Sequence, residues 1–195
     1  MIKVACIGDS ITWGFTLLQR NKNSYPAVLQ NLLGEDYEVK NFGFCDATAR
    51  MDSEVPYTKR RVYKQALAYK ADIALLMLGT NDTKHINWDP DKFREGYSHI
   101  VDSLIAGGSR VVIITPPRIF PKIDLAPFRL HNNILVKNII PQINQIARER
   151  ALEVLDVNSI MKKRSLFTDG IHPDVEGASR IATFVYEYMK SPPSE

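Results

Sequence analysis

The sequence has little cysteine: it contains two cysteines among 195 residues, Cys6 and Cys45, which excludes a disulfide framework. If the first two predicted strands are neighbours, the two thiols could still meet, so the sequence leaves a single bridge open. Long apolar runs are also missing, since none approaches the ~20 residues that a membrane-spanning helix requires. No signal peptide precedes the first predicted strand, so we expect a cytoplasmic protein, although a trimmed leader would leave the same sequence.

A strong net charge and the common cofactor motifs are absent as well. The net charge is +3, and neither basic cluster, at 59–61 or at 162–164, accompanies a nucleic-acid-binding motif. The stretch from Gly8 to Gly14 has neither the spacing of a dinucleotide fingerprint nor the lysine of a phosphate-binding loop. No histidine–cysteine cluster indicates zinc, and the G-x-S-x-G elbow of α/β-hydrolases is missing. We therefore expect no cofactor and no bound metal.

Strand-like and helix-like segments alternate along the chain, which predicts an α/β fold. The predicted strands are apolar throughout and each precedes a helical pattern, as in a parallel sheet covered on both faces. The strands are predicted at 2–7, 37–42, 72–78, 110–115 and 153–157, and the helices at 25–33, 60–69, 91–106, 132–151 and 175–189. We expect one domain over residues 1–190 and a frayed tail at 191–195.

Capping residues and prolines mark the ends of several predicted elements. Ser24 is expected to cap the first predicted helix, and Gly34 to end it. Pro141 should kink or split the long helix at 132–151, because proline cannot donate a backbone hydrogen bond. The connection at 116–130 carries four prolines and is long enough to form a lid or a binding loop.

The most informative stretch lies at 8–12, Gly-Asp-Ser-Ile-Thr, directly after the first predicted strand. Ligands of open parallel sheets bind outside the carboxyl ends of the strands, so Ser10 is well placed for function. A serine hydroxyl is a weak nucleophile until a base removes its proton. His172 offers such a base, and Asp169, three residues before it, can face the same way in a tight turn and orient it. The alternative is that Ser10 only caps the next helix.

Four short blocks, each at the end of a predicted strand, contain in order Ser10, Gly43, Asn81 and His172. Together they resemble the four blocks of the SGNH (GDSL-type) hydrolase family, over nearly the whole chain. The resemblance implies a flavodoxin-like three-layer α/β/α sandwich whose five-stranded parallel sheet has the order 2-1-3-4-5. It also implies metal-free acyl transfer to water through a serine ester.

The resemblance assigns roles to the block residues. It implies a catalytic triad of Ser10, Asp169 and His172. It also implies an oxyanion hole formed by the Ser10 and Gly43 backbone N–H groups and the Asn81 side-chain amide. Gly43 has no side chain to obstruct a substrate oxygen, although it could be a simple turn glycine, and Asn81 could merely cap a turn.

The second block departs from the family pattern. The family often has Asn-x-Gly-x-Ser-Gly-x-Thr, whereas this chain has Asn-Phe-Gly-Phe-Cys-Asp-Ala-Thr at 41–48. Asp46 thus replaces a glycine, and Cys45 a small polar residue. Because aspartate tolerates a left-handed backbone better than most residues, the turn can survive, and the difference bears on the pocket wall rather than on the mechanism. Asp9 and Asp82 are expected to hydrogen-bond the surrounding loops.

The segment at 83–88 looks like an extension found in SGNH enzymes of the carbohydrate-esterase type. The candidate substrate-binding residues are Trp13, Phe44, Lys84 and Trp88, and each tryptophan could instead be a packing residue. Rings beside Gly43, at Phe42 and Phe44, are expected to shorten the acyl pocket. Within the connection at 116–130, the residues that could shape a site for sugar or acidic substrates are Arg118, Phe120, Lys122 and Arg129.

Three functional hypotheses remain open at this point. The first is a serine esterase that hydrolyses short-chain, acetyl-type O-esters, with a small-molecule or carbohydrate ester as its partner and neither nucleic acid nor membrane. The second is a lipolytic enzyme or thioesterase of the same family that acts on longer acyl chains. The third is a non-catalytic flavodoxin-like binding module.

Overall fold

A computed structural model describes residues 1–120 and 129–191 of the chain. Within them, five parallel strands form a sheet in the order β2-β1-β3-β4-β5, as predicted. The strands are β1 (Ile2–Gly8), β2 (Tyr37–Gly43), β3 (Ile73–Met77), β4 (Arg110–Ile114) and β5 (Glu153–Leu155). β1 lies between β2 and β3, and Gly8 at its end pairs with Gly43 on one side and Met77 on the other. The ends of these three strands therefore meet at one edge of the sheet.

Helices cover both faces of the sheet. They are α1 (Ser10–Trp13), α2 (Arg20–Asn23), α3 (Tyr25–Leu33), α4 (Arg61–Tyr69), α5 (Pro90–Ala106), α6 (Asn132–Ile134), α7 (Ile140–Glu149), α8 (Val157–Ile160) and α9 (Val175–Lys190). Ile7 faces a core that is closed by α4, α5 and α7, whereas its neighbour Cys6 faces a core closed by α3 and α9. This alternation along β1 is the two-residue period of a strand that is buried on both sides.

The long helix predicted at 132–151 is not split at Pro141, but it contains a π-helical segment just before that proline. A π-helical segment, Leu135–Ile139, joins α6 to α7, and Pro141 is the second residue of α7. The wider π turn before it lets the helical path continue without the bond that proline cannot make.

Other element ends differ from the predictions in small ways. Ser24 occupies the N-cap position of α3 but its side chain makes no capping hydrogen bond, and Gly34 ends the helix with a φ of 74°. β5 stops at Leu155, because Asp156 leaves the sheet and caps α8 by accepting the Ser159 N–H at 3.2 Å.

Both cysteines are free, so no bridge joins them. Burial raises the pKa of the Cys6 thiol to about 12. In the described part of the chain, no helix has both the length and the apolar character needed to cross a membrane. Residues 121–128 and 192–195 lie outside the described residues, and with them Lys122 and most of the predicted tail.

Candidate active site

The predicted site residues come from loops at the carboxyl edge of the sheet. They are Ser10 after β1, Asn81 after β3, and Asp169 and His172 in the loop before α9. Because β1 lies between β2 and β3, the loops that follow these strands are neighbours in space. The strand order therefore brings the loop that carries Ser10 together with the loop that carries Asn81.

A chain of hydrogen bonds links Ser10, His172 and Asp169. The Ser10 Oγ lies 2.9 Å from His172 Nε2, and His172 Nδ1 lies 2.7 Å from Asp169 Oδ2. The Phe15 ring packs against the His172 ring with their centroids 4.8 Å apart. In this arrangement the carboxylate can accept the Nδ1 proton, which leaves Nε2 free to accept the proton of the serine hydroxyl.

Asp169 is held in place by the backbone of its own loop. Its Oδ1 accepts the N–H groups of Ile171 at 2.9 Å and His172 at 2.8 Å, as in an Asx turn. The turn requires glycine at Gly170, whose φ is 92° and where a Cβ would clash with the Phe120 carbonyl oxygen. Burial opposes ionisation of Asp169, but the hydrogen bonds from the His172 ring and from the two N–H groups outweigh it and hold its pKa well below the usual range.

Ser10 is the first residue of α1, and Asp9 rather than Ser10 caps that helix. The Asp9 Oδ1 accepts the Ile11 N–H at 2.9 Å, so the predicted supporting role of Asp9 is confirmed. Burial raises the pKa of Asp9 to about 6, against the effect of that hydrogen bond. No described residue accepts the Ser10 backbone N–H, which is therefore available to a ligand.

Gly43 does not supply the predicted donor. Its backbone N–H donates to Asn41 Oδ1 at 2.9 Å, and Gly43 is not among the described residues that line the cavity beside Ser10. The absence of a side chain serves packing instead, since a Cβ would clash with the Trp13 backbone nitrogen. The prediction of Gly43 as an oxyanion donor is wrong, because its N–H is already bound to Asn41.

Asp46, three residues after Gly43 in the loop that follows β2, is a second candidate for a backbone donor. It lines the cavity, and its φ of 61° is in the left-handed region, as the replaced glycine indicated. No described residue accepts its backbone N–H. The signal that could have identified Asp46 is the glycine that the family pattern has at this position, because a backbone donor with positive φ favours glycine.

Asn81 and Asp82 tie the loop after β3 to the loop after β2. The Asn81 Nδ2 donates to the Ala47 carbonyl oxygen at 3.2 Å, which uses one of its two hydrogens and leaves the other for the cavity that it lines. The buried Asp82 carboxylate accepts the N–H groups of Ala49 and Arg50, each at 3.0 Å. The predicted supporting role of Asp82 is confirmed. Burial raises its pKa to about 6 in spite of these hydrogen bonds.

A cavity of about 210 Å³ opens beside Ser10 and His172. The other described residues of its wall are Phe15, Cys45, Asp46, Asn81, Lys84, Leu130 and Ile171. A larger depression of about 830 Å³ runs along the outer side of α9, and its described lining includes none of these residues. The smaller cavity is the candidate active site, because it is the one that contains the hydrogen-bonded serine and histidine.

Of the four predicted substrate contacts, Lys84 is the one found in the described cavity wall. Trp13 stacks under the Arg20 guanidinium, which lies 4.1 Å from the ring centroid. Trp88 packs against the core with its ring centroid 6.1 Å from that of Phe93. Both tryptophans therefore contact protein rather than line the described cavity.

The rings predicted to shorten the acyl pocket lie elsewhere. Phe42 is buried in the core against Tyr69, with centroids 5.5 Å apart. Phe44 is 38% exposed and lies beneath the Arg60 guanidinium. The ring found in the cavity wall is Phe15, which packs against the histidine ring and was not predicted. The contact joins distant parts of the chain and leaves no pattern in the sequence.

The remaining predictions concern the connection at 116–130 and possible metal ligands. Phe120 packs on Phe167, with ring centroids 5.4 Å apart, and Arg129 lines a separate depression with His131. Lys122 lies outside the described residues. Within residues 1–120 and 129–191, no three or more His, Cys, Asp or Glu side chains are grouped so that they could hold a metal ion.

Residues 6–180 match the model of the GDSL-like Lipase/Acylhydrolase family. An acetylxylan esterase of Xylanibacter ruminicola is 32% identical over 212 residues, an alignment that takes 97% of this chain and 43% of that protein. The chain therefore spans less than half the length of this curated relative.

Solved structures share the fold at lower sequence identity. An aryl esterase of M. smegmatis has a TM-score of 0.82 and 21% identity, covering 97% of this chain and 99% of that one. The carbohydrate acetylesterase Est24 of Sinorhizobium meliloti has a TM-score of 0.81 and 21% identity, covering 97% of this chain and 98% of that one. The five-stranded α/β/α arrangement is thus shared over nearly the whole of each chain.

Proposed function

Because the chain belongs to the GDSL-like lipase/acylhydrolase family, we propose that it is a serine esterase that hydrolyses short-chain, acetyl-type O-esters, in particular those of carbohydrates. Ser10 is the nucleophile, His172 is the general base, and Asp169 orients the histidine. The observation that carries the proposal is the hydrogen-bonded chain from Ser10 through His172 to Asp169 at the wall of the cavity.

In the proposed reaction, His172 Nε2 takes the hydroxyl proton while Ser10 Oγ attacks the carbonyl carbon of the ester. Negative charge develops on the carbonyl oxygen and is stabilised by the backbone N–H groups of Ser10 and Asp46 and the amide of Asn81. The imidazolium, stabilised by Asp169, then gives its proton to the departing alcohol. A water molecule activated by the same histidine hydrolyses the acyl-serine and regenerates the enzyme.

The size of the cavity supports a short acyl group. Its volume of about 210 Å³ is below the ~300 Å³ at which pockets for drug-sized ligands begin. Phe15, Leu130 and Ile171 give it an apolar side, while Lys84 and Asp46 give it a polar side that suits the hydroxyl groups of a sugar. The acetylxylan esterase relative supports the same class of substrate.

The test is hydrolysis of p-nitrophenyl acetate, butyrate and octanoate by the parent protein and by Ser10→Ala. The variant should fold, because a small side chain is shortened by one atom. Its kcat/KM for the acetate should fall by about four orders of magnitude or more, since loss of the nucleophile disables the triad as a unit. The parent should prefer acetate over octanoate and should release acetate from acetylated xylo-oligosaccharides.

Two outcomes would contradict the proposal separately. A folded Ser10→Ala protein with near-parental activity would remove Ser10 as the nucleophile. A parent enzyme that clearly prefers octanoate would favour the lipolytic hypothesis, because a long chain gains ~0.8 kcal/mol for each methylene that it buries in an apolar channel.

A further inference from the structure

An ion pair connects the two loops that carry the proposed oxyanion donors. The loop after β2 bears Asp46. The loop after β3 bears Asn81 and then Lys84, whose backbone N–H donates to the Asn81 carbonyl oxygen at 3.3 Å. The Lys84 Nζ lies 3.2 Å from Asp46 Oδ1. The pair thus connects Asp46, whose backbone N–H is one proposed donor, to Lys84. Lys84 in turn is hydrogen-bonded to Asn81, whose side-chain amide is another proposed donor.

The other contacts between these two loops hold the residues that follow Asp46. Asn81 donates to the Ala47 carbonyl oxygen at 3.2 Å, and Asp82 accepts the N–H groups of Ala49 and Arg50. Among the contacts of the described residues, the Lys84 pair is the hydrogen bond that reaches the Asp46 side chain.

Asp46 needs a restraint because of its backbone conformation. Its φ of 61° lies in the left-handed region, which residues other than glycine rarely adopt, and relaxation would turn its N–H away from its present direction. The Asp46 side chain is 66% exposed, so packing does not hold it, whereas the Lys84 side chain is 9% exposed. The buried lysine is therefore the fixed end of the pair.

We infer that Lys84 is a positioning residue: it keeps Asp46 in the left-handed conformation that presents its backbone N–H to the cavity. The inference rests on the proposed esterase function, in which that N–H stabilises the oxyanion. Lys84 acts through Asp46, so its effect should disappear when residue 46 no longer needs to be held.

A double-mutant cycle with p-nitrophenyl acetate tests this role. Lys84→Met should lower kcat about ten-fold and change KM by less than about two-fold, because a misdirected oxyanion donor weakens the transition state selectively. Asp46→Gly should lower kcat less than Lys84→Met does, since glycine adopts positive φ without strain. In the Asp46→Gly background, Lys84→Met should change kcat by less than about two-fold, which is the non-additivity expected of coupled residues.

Asp46→Ala isolates the backbone effect at an exposed position. Both Asp46→Ala and Asp46→Gly remove the carboxylate, but only alanine retains the strain of a positive φ. Asp46→Ala should therefore lose about as much kcat as Lys84→Met. If Lys84→Met does not fold, the comparison between the kcat values of Asp46→Ala and Asp46→Gly tests the inference instead. Equal kcat values for these two variants would overturn it.

Lys92→Met is the matched control. It breaks the exposed pair between Lys92 Nζ and Asp52, 2.6 Å apart, neither of which lines the cavity, and it should leave kcat unchanged. The inference fails if Lys84→Met has the parental kcat. It also fails if Lys84→Met lowers kcat as strongly in Asp46→Gly as in the parent, because the lysine would then act on the substrate directly.

An NMR measurement separates this inference from the proposed function. The backbone amide signal of residue 46 should shift in Lys84→Met and stay in place in Lys92→Met, whether or not the protein hydrolyses esters. A parent protein without esterase activity would contradict the proposed function. An unmoved signal of residue 46 would overturn the positioning role of Lys84.

Discussion

Asp9 and Asp82 are both buried carboxyls, but their hydrogen bonds differ. Asp9 accepts one backbone N–H, from Ile11, and its buried Oδ2 has no backbone donor, the neighbouring donor being the Thr80 hydroxyl. Asp82 uses both oxygens, one for the Ala49 N–H and one for the Arg50 N–H. An asparagine side chain has a single acceptor oxygen. It can therefore replace Asp9, which accepts one backbone N–H, but not Asp82, which accepts two.

The same substitution should therefore have opposite effects at the two positions. Asp9→Asn should raise the free energy of unfolding at pH 7, because it removes a buried charge and keeps the cap of α1. Asp82→Asn should lower it by about 1–3 kcal/mol, because one buried N–H loses its acceptor. Urea unfolding of both variants at pH 7 measures the two effects, and changes of the same sign would contradict this account.

Single residues also show where prediction from the sequence succeeds and where it stops. The hydrogen-bonded grouping of Ser10, Asp169 and His172 could be anticipated, because the proposed chemistry needs these residue types and a local turn relates two of them. Gly43 was a wrong choice because the sequence does not show that its N–H is bound to Asn41. Phe15 could not be found, since its contact with the histidine exists only after distant loops have met.

At the scale of elements, α5 approaches the donor-bearing loop at one glycine. A Cβ at Gly96 would clash with the Ala49 carbonyl oxygen, in the loop whose position Asp82 fixes. Gly96→Ala would raise helix propensity by up to ~1 kcal/mol on an exposed helix. Here it should instead lower the melting temperature and kcat together, because the helix must move away from the loop that carries Asp46.

Gly107→Ala at the end of the same helix is the control. Its φ is −73°, and the nearest atom to a new Cβ would be 3.3 Å away. It should change kcat little, and thermal unfolding combined with kcat measures the contrast. Parental stability and kcat in Gly96→Ala would mean that the contact between α5 and the loop does not constrain the site.

The main elements were predictable because burial on both faces imposes a pattern on the sequence. All five strands and their order followed from apolar runs, helical spacing and the family resemblance. The four-residue helices α1, α2 and α8 did not, because they are too short to show a period. α1 and α8 each depend on a capping aspartate in a tight turn, Asp9 and Asp156, whose role is clear only from the hydrogen bonds.

At the scale of the whole molecule, the two buried carboxyls shape how stability depends on pH. Burial raises the pKa of Asp9 and of Asp82 from 3.8 to about 6. Between these values the folded protein binds more protons than the unfolded chain does. Their contribution to stability is therefore complete below pH ~4 and is lost as the pH rises through about 6. Asp169, whose pKa is lowered, contributes in the opposite sense, and its stabilisation is lost as the pH falls below the unfolded value.

We expect the stability difference between Asp9→Asn and the parent to depend on pH in the same window. The difference should be smallest near pH 4 and should grow to on the order of 2–3 kcal/mol above pH ~6, because each pKa unit corresponds to about 1.4 kcal/mol. Urea unfolding at pH 4, 5, 6 and 7 gives the four differences. A difference that is constant with pH would show that Asp9 does not titrate in this range.

The hydrogen bond between Ser10 and His172 joins residues that are 162 positions apart. A ribosome that adds ~5–20 residues per second therefore makes the serine roughly 8–30 seconds before the histidine. β1, which lies between β2 and β3, likewise has one unpaired edge until β3 has been made. Under the proposed function, the serine has no base until residue 172 has been made and its loop has docked beside Ser10. Ester hydrolysis would then begin only after that docking, so turnover would itself report that these two distant loops have met.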